Sequence, residues 1–226
     1  MKNGLTPAKS RGSSPDISAV IFDYGKVLAH SATPEGFGRM ASILNVSFEE
    51  FYPLWESTRD TYDRGDLTPE EYWLTLAEQT QRSLDRSQIE VLRKIEVEIW
   101  SHVDQSMLDW VRQLRSEGVK TALLSNMPHD LVAHLRKNSE WMENFAFKTF
   151  SSEVKLIKPE PAIYEYTLRG LKVSASEALF IDDREKNVKA ARALGIHGIQ
   201  FQSVTQLKRD LEAIGFPMAP AVSNQP

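Results

Sequence analysis

Four places in this chain carry side chains that could do chemistry together: Asp23, Ser125-Asn126, Lys158 and Asp182-Asp183. Asp23 directly follows Ala19-Val20-Ile21-Phe22. A run that apolar predicts a strand buried on both faces, as in a parallel sheet. Asp23 then falls at the carboxyl end of the strand, where open α/β sheets collect their chemistry, and Gly25 lets the backbone turn. A carboxylate there can be a nucleophile, a metal ligand or both. Taken alone, Asp-x-Gly equally marks a helix N-cap or a turn. Ser125-Asn126 closes the predicted strand Val119 to Leu124, and Asp182-Asp183 closes Ala178 to Ile181. Lys158 precedes Pro159, in a proline-stiffened turn.

Three carboxylates brought to one sheet edge repel. At about 4 Å and an effective dielectric near 20, each pair costs about 4 kcal/mol. Such a site wants a divalent cation, and all-oxygen ligation points to magnesium, Mg2+. A hydroxyl, an amide, backbone N–H groups at a helix start and a lysine suit an anion. Together they predict phosphoryl transfer through an aspartyl-phosphate.

The elements that must position these groups alternate. Val119 to Leu124, Phe147 to Phe150, Ala178 to Ile181 and His197 to Phe201 read as further strands. Asp104 to Glu117, Pro128 to about Asn138, Pro161 to Leu171, Glu185 to Leu194 and Val204 to Ile214 read as helices. Strands separated by helices predict right-handed crossovers and a parallel sheet covered on both faces. Residues 31–102 differ in texture and read as an inserted all-helical cap. Ala29 to Gly38, with Pro34, Gly36 and Gly38, reads as its entry loop. Ser47-Phe48-Glu49-Glu50 and Thr68-Pro69-Glu70-Glu71 spell capping boxes, and Asp85 opens a third helix. The aromatics Phe48, Phe51, Tyr52, Trp55, Tyr72 and Trp73 are expected to form the core of the cap, with substrate stacking the lesser alternative for any one of them. The fold class is therefore α/β: a Rossmann-like, three-layer parallel-sheet core at 16–30 and 103–216, with an inserted helical-bundle cap. Residues 1–15 and 217–226 are expected to be disordered tails.

Composition narrows the partners. The 226 residues carry a formal charge of -4, which gives no reason to expect nucleic acid. No apolar run is long enough for a membrane span, and Met1 to Pro15 has no secretory apolar region. The absence of cysteine excludes disulfides and thiolate zinc sites and fits a cytoplasmic location. His102, His129, His134 and His197 show no ligand spacing with one another. Arg64-Gly65-Asp66 is expected to be a turn between cap helices, and Lys155 a loop charge or a residue lining the site. Oligomeric state is not encoded in any motif.

The same residues carry a resemblance. Phe22-Asp23-Tyr24-Gly25-Lys26-Val27-Leu28, Leu124-Ser125-Asn126, Lys158-Pro159-Glu160-Pro161-Ala162-Ile163-Tyr164 and Phe180-Ile181-Asp182-Asp183-Arg184-Glu185-Lys186-Asn187 match, in order, the four motifs of the haloacid dehalogenase-like (HAD) superfamily. The chain resembles it from about residue 17 to 215. The helical insertion resembles the four-helix cap of its first cap class. Within the superfamily the chain is similar to sugar-1-phosphate phosphatases and to the phosphatase-like domain of soluble epoxide hydrolases.

The resemblance implies a phosphatase acting on a small phosphorylated metabolite such as a sugar phosphate. Asp23 would attack phosphorus. Asp23 and the carbonyl of Gly25 would hold magnesium, with Asp182 and Asp183 completing the set. Ser125 and the backbone of Asn126 would bind phosphate, Lys158 would neutralise nucleophile and phosphate, and Asn187 would order the loop after Asp183. One departure stands out: most phosphatases of the superfamily carry an acid/base aspartate two residues after the nucleophile, where this chain has Gly25. A general acid–base is worth about 10²–10⁴-fold, so leaving groups that need little protonation are expected. Lys26 and His30 are candidate substitutes, and Asp63 and Arg64 candidate cap contacts to substrate. The rival expectations are a hydrolytic 2-haloacid dehalogenase using Asp23, and a catalytically weak fold kept as a binding module.

Overall fold

The computed structural model describes residues 16–221. The tail expected at 1–15 and residues 222–226 of the second tail lie outside the described residues.

Five strands, β1 (Ala19–Phe22), β2 (Lys120–Ser125), β3 (Phe147–Phe150), β4 (Ala178–Asp182) and β5 (His197–Gln200), form one parallel sheet in the order β3-β2-β1-β4-β5. All residues of β1 and β4 are buried, as their unbroken apolar runs require. In β1, Phe22 pairs with Leu123 of β2 and Ile181 of β4. That register brings Asp23, Ser125 and Asp182 to one edge. The strand period of two then sorts the core. Val20 and Phe22 belong to one apolar cluster, with Leu123 and Ile181; Ala19 and Ile21 belong to another, with Leu124 and Phe180.

The connecting helices cover both faces. In chain order the helices are α1 (Pro34–Ile43), α2 (Phe48–Ser57), α3 (Arg59–Asp63), α4 (Pro69–Gln79), α5 (Arg86–Ile99), α6 (Gln105–Ser116), α7 (His129–Asn138), α8 (Ser151–Val154), α9 (Pro161–Leu171), α10 (Glu185–Ala193) and α11 (Val204–Ala213). Helices α6, α7 and α11 supply Trp110, Leu135 and Leu207 to the first cluster. Helices α9 and α10 supply Tyr164 and Ala191 to the second. The result is three layers, as the alternation of strand and helix predicted.

Helices α1 to α5 enclose an apolar cluster of their own, with Phe51, Trp55, Tyr62, Tyr72, Trp73 and Leu92 buried. Phe48 departs from the expected cap core: it is 38% exposed and stacks on the half-buried Tyr52. Thr68 and Asp85 make complete capping boxes with Glu71 and Gln88. At Ser47 only half the box forms: the hydroxyl accepts from the Glu50 N–H at 3.1 Å.

Two expectations are corrected. The segment 29–38 is not all loop: Thr33 caps α1, and Gly36 and Gly38 lie inside that helix. Gly36 serves close packing instead of a turn, because a Cβ there would sit 2.3 Å from Ile99 Cγ2 on α5. The chain after Pro217 does not leave the body at once: Met218 and Ala219 pack against the sheet's first cluster.

Candidate active site

Asp23, Ser125, Lys158 and Asp183 line one cavity of about 100 Å³ between the strand ends and the cap. Its floor is set by the sheet register. The Asp23 N–H donates to the Ile181 carbonyl at 2.9 Å, one ladder step beyond β1. One carboxylate oxygen from each of Asp23, Asp182 and Asp183 lies within 4.8 Å of the other two.

Lys158 offsets this negative charge. Its ammonium, buried at 2% residue exposure, lies 2.8 Å from Asp23 Oδ1 and 2.7 Å from Asp182 Oδ2, and donates to the Leu124 carbonyl at 3.0 Å. Burial works to lower its pKa, but Asp182 and Asp23 outweigh that and hold it above the usual lysine value. One ammonium cannot balance three carboxylates. Burial pushes the Asp23 carboxyl up to about 7 against the pull of Lys158, with Asp182 and Asp183 adding to the rise. Burial, then Asp182, also raises Asp183. These carboxylates are strained toward protonation or toward a cation.

The three acids are not equivalent. Asp23 Oδ1 accepts from the Tyr24 N–H at 2.7 Å as well as from Lys158. Its Oδ2 accepts no hydrogen bond among the described residues. Asp182 is fully engaged: Arg184 N–H at 2.8 Å, Lys158, and Asn187 Nδ2 at 3.0 Å to each oxygen. It holds Lys158 and the loop. Asp183 lines the cavity with its carboxylate 3.6 Å from the Lys26 ammonium. This donor set is all oxygen, partly open and short of positive charge, which suits a hard divalent cation.

Asn126 does more than its motif announces. Its side-chain Oδ1 accepts from the Lys158 N–H at 2.9 Å, and its Nδ2 donates to the Lys158 carbonyl at 3.0 Å. The amide thus fixes the backbone that carries the lysine, across the cis Lys158-Pro159 turn. Ser125 is buried and makes only a 3.4 Å contact to the Asn126 carbonyl, so its hydroxyl is free for a ligand.

Trp100 packs beside Gly25. A Cβ on Gly25 would sit 3.4 Å from the Trp100 ring, and Tyr24 Oη donates to the Trp100 carbonyl at 2.6 Å. Lys26 lines the cavity; His30 does not. Of the two cap candidates, Asp63 lines it, whereas Arg64 pairs with Glu160 at 2.6 Å outside it. Lys155 donates to the Gly65 carbonyl and ties cap to core. Gly65 has φ of +77°, and a Cβ there would meet the Ser152 carbonyl at 2.8 Å. The expected turn between cap helices is therefore also a core contact. Cavity residues that the motifs did not point to are Trp55, Arg59, Glu96 and Trp100. Helical spacing marked Trp55 first as core, with substrate stacking the lesser alternative.

The chain is similar to several known proteins. Over 127 residues the chain is 32% identical to bifunctional epoxide hydrolase 2 of Rattus norvegicus, a match covering 52% of the chain but 23% of that longer protein. It is 26% identical over 186 residues to the sesquiterpene phosphatase astK of Aspergillus oryzae, covering 81% of the chain and 86% of the relative. Among solved structures, the HAD family enzyme bt-2542 of Bacteroides thetaiotaomicron, an Asp-to-Ala mutant complexed with magnesium and inorganic phosphate, superposes with a TM-score of 0.66 at 25% identity, covering 82% of this chain and 94% of that one. Among the described residues no helix is long and apolar enough to cross a membrane. The family model for haloacid dehalogenase-like hydrolases matches residues 17–195. Because that match takes in strands β1 to β4, the cap and every charged group around Asp23, the chain belongs to the haloacid dehalogenase-like hydrolase family.

Proposed function

We infer that this protein is a magnesium-dependent phosphatase that hydrolyses a small phosphorylated metabolite through an aspartyl-phosphate on Asp23. The observation that carries the reading is the group of three carboxylates within 4.8 Å, served by one buried lysine. A pure structural role for three such acids would leave negative charge that Lys158 and the exposed Lys26 offset only in part. Asp23, Asp183 and the Gly25 carbonyl would hold the ion, with Asp182 joining directly or through water. Bound there, magnesium offsets the carboxylate charge and polarises the phosphoryl group.

The protein groups supply the rest. The unengaged Oδ2 of Asp23 attacks phosphorus while Oδ1 stays fixed by Tyr24 and Lys158. The P–O bond to the leaving group breaks, and the departing oxygen takes the electron pair and then a proton from solvent. Water then attacks the same phosphorus, the bond to Asp23 breaks, and inorganic phosphate leaves with the carboxylate restored. The Ser125 hydroxyl and the Asn126 backbone donate to phosphate oxygens, and Lys158 neutralises charge as it builds.

With Gly25 in the acid/base position, protonation of the leaving group is the weak step. The reading therefore favours esters whose leaving groups need little protonation, such as anomeric sugar phosphates or acyl phosphates.

The test is phosphate release from p-nitrophenyl phosphate, acetyl phosphate and sugar 1- and 6-phosphates, with and without magnesium, for wild type and Asp23→Asn. Magnesium-dependent release that Asp23→Asn abolishes is expected. Halide release from 2-haloacids without metal would replace this reading by the dehalogenase one. Inertness toward both panels would leave a binding module.

A further inference from the structure

The cap wall of the cavity holds more charge than joining two helices requires. The Arg59 guanidinium, with its side chain 11% exposed, donates to Asp63 Oδ1 at 2.6 Å and to Glu96 Oε1. Its Cζ lies 4.7 Å from the Trp55 ring and 5.0 Å from the Tyr62 ring. Arg59 and Asp63 lie on α3 and Glu96 on α5, and all three line the same cavity as Asp23. One carboxylate would suffice to anchor the arginine. The second is excess buried charge, which weakens a fold unless something uses it. Trp55 lines the cavity too, and its indole N–H is buried with no hydrogen-bond partner among the described residues. An unpaired buried donor carries its own desolvation cost.

We propose that Trp55, Arg59, Asp63 and Glu96 form a specificity subsite that accepts a neutral, hydroxyl-bearing leaving group and rejects one that carries a carboxylate. The proposal rests on reading the site as one for phosphate esters and names the class of ester. A hydroxyl can donate to a carboxylate oxygen and accept from the Trp55 N–H, and the indole face suits the C–H side of a polyol. A substrate carboxylate finds Arg59 already matched by two acids. Burial raises both acids toward protonation, with Arg59 opposing. Even with one proton held, the set is neutral and offers no spare cation. Exposed Asp60 adds negative charge to the same wall. Lys158 and Lys26 face Asp23 and Asp183. Exposed Arg184 is the cation that a substrate carboxylate would have to use.

A matched pair of ligands tests this: glycerol 3-phosphate and 3-phosphoglycerate, which differ by CH₂OH against COO⁻. Each is titrated calorimetrically, with magnesium chloride present, into Asp23→Asn protein, so that binding is read without turnover. Glycerol phosphate is expected to bind at least about tenfold more tightly, since one misplaced charge readily supplies that factor. Adding Glu96→Gln should tighten phosphoglycerate and shrink the ratio to about threefold or less. Trp55→Phe keeps the ring and removes the donor; it should weaken glycerol phosphate by roughly fivefold and leave phosphoglycerate unchanged. It serves also if Glu96→Gln does not fold. Arg184→Ala should weaken phosphoglycerate and widen the ratio, because it removes the cation left for a substrate carboxylate. Equal binding, tighter phosphoglycerate, a ratio unmoved by both cap variants, or no binding of either ligand overturns the subsite. The phosphatase reading fails on a different result: no phosphate release by wild type from p-nitrophenyl phosphate or acetyl phosphate.

Discussion

The side-chain amide of Asn126 grips the backbone of Lys158 at both ends, accepting from its N–H at 2.9 Å and donating to its carbonyl at 3.0 Å. Residues 32 positions apart thereby set where the lysine ammonium reaches Asp23. Asn126→Ala breaks both bonds while leaving the phosphate-facing backbone. Activity should fall roughly 10–100-fold, as when a group that orients a site residue is lost, and stability by about 1–3 kcal/mol. Asn126→Asp should recover little, because a carboxylate would face the Lys158 carbonyl. Steady-state kinetics and urea denaturation of both variants check this; wild-type kcat in Asn126→Ala would refute the positioning role.

Lys158→Met removes the buried cation between Asp23 and Asp182 and leaves their charge uncompensated. Breaking a buried pair from one side costs about 3–5 kcal/mol. Activity should drop at least about 10³-fold, since in the proposed mechanism the cation serves both Asp23 and the phosphate. Magnesium should restore part of the lost stability but not the activity. Thermal denaturation with and without magnesium, alongside phosphate release, measures the two effects separately.

The Asp23 carboxyl has a pKa of about 7 in the folded metal-free protein against an ordinary 3.8. The folded state keeps a proton that the unfolded chain has already released. This contribution to stability is fully present below about pH 4 and is lost as the pH rises through about 7, amounting to a few kcal/mol. Asp183, also raised, acts in the same direction. Magnesium competes with the proton, so its affinity should rise over the same window. Denaturant titrations at several pH values, for wild type and Asp23→Asn, test this. A metal-free stability that rises from pH 5 to pH 8 would contradict the sign.

Gly25→Asp places a carboxylate two residues after Asp23; its Cβ would make ordinary contact with the Trp100 ring at 3.4 Å, and the carboxyl beyond it competes with the indole for space. The single variant should gain little on alkyl phosphates. Combined with Trp100→Ala, it should raise their hydrolysis relative to p-nitrophenyl phosphate by up to about 10²-fold. Equal gains on both ester types would mean that the new carboxylate does not act as the acid.

Ser151 Oγ accepts from the Met127 N–H at 2.9 Å and donates to the Asp63 carbonyl. It joins the loop after Ser125 to the cap. Ser151→Ala should raise KM severalfold and cost about 1–2 kcal/mol, with kcat less affected. Unchanged KM for every ester would show that the link does not reach the ligand.

The strands were legible because unbroken apolar runs such as Ala19–Phe22 leave few alternatives to a buried parallel strand. The groups at their ends were legible for the same reason: Asp23, Ser125 and Asp182 follow directly from where the apolar runs stop. Helix α1 was misread because Gly36 and Gly38 look like loop residues, whereas Gly36 is needed where Ile99 approaches. Trp55 read first as cap core and only second as a residue that meets substrate, since helical spacing tells which face is apolar and not what that face meets.

The sequence by itself thus determined the parallel α/β core, the helical insertion and the convergence of carboxylates and lysine on one sheet edge. These follow from local periodicity and from the rule that strand ends share an edge. Only the tertiary structure decided how those groups divide the work: Asp182 saturated by Asn187, Arg184 and Lys158, Asp23 left with an open oxygen, Trp100 laid against Gly25, and Arg59 shared by Asp63 and Glu96. Hydrogen-bond saturation and charge balance depend on atoms brought together from distant parts of the chain, and no local pattern encodes them.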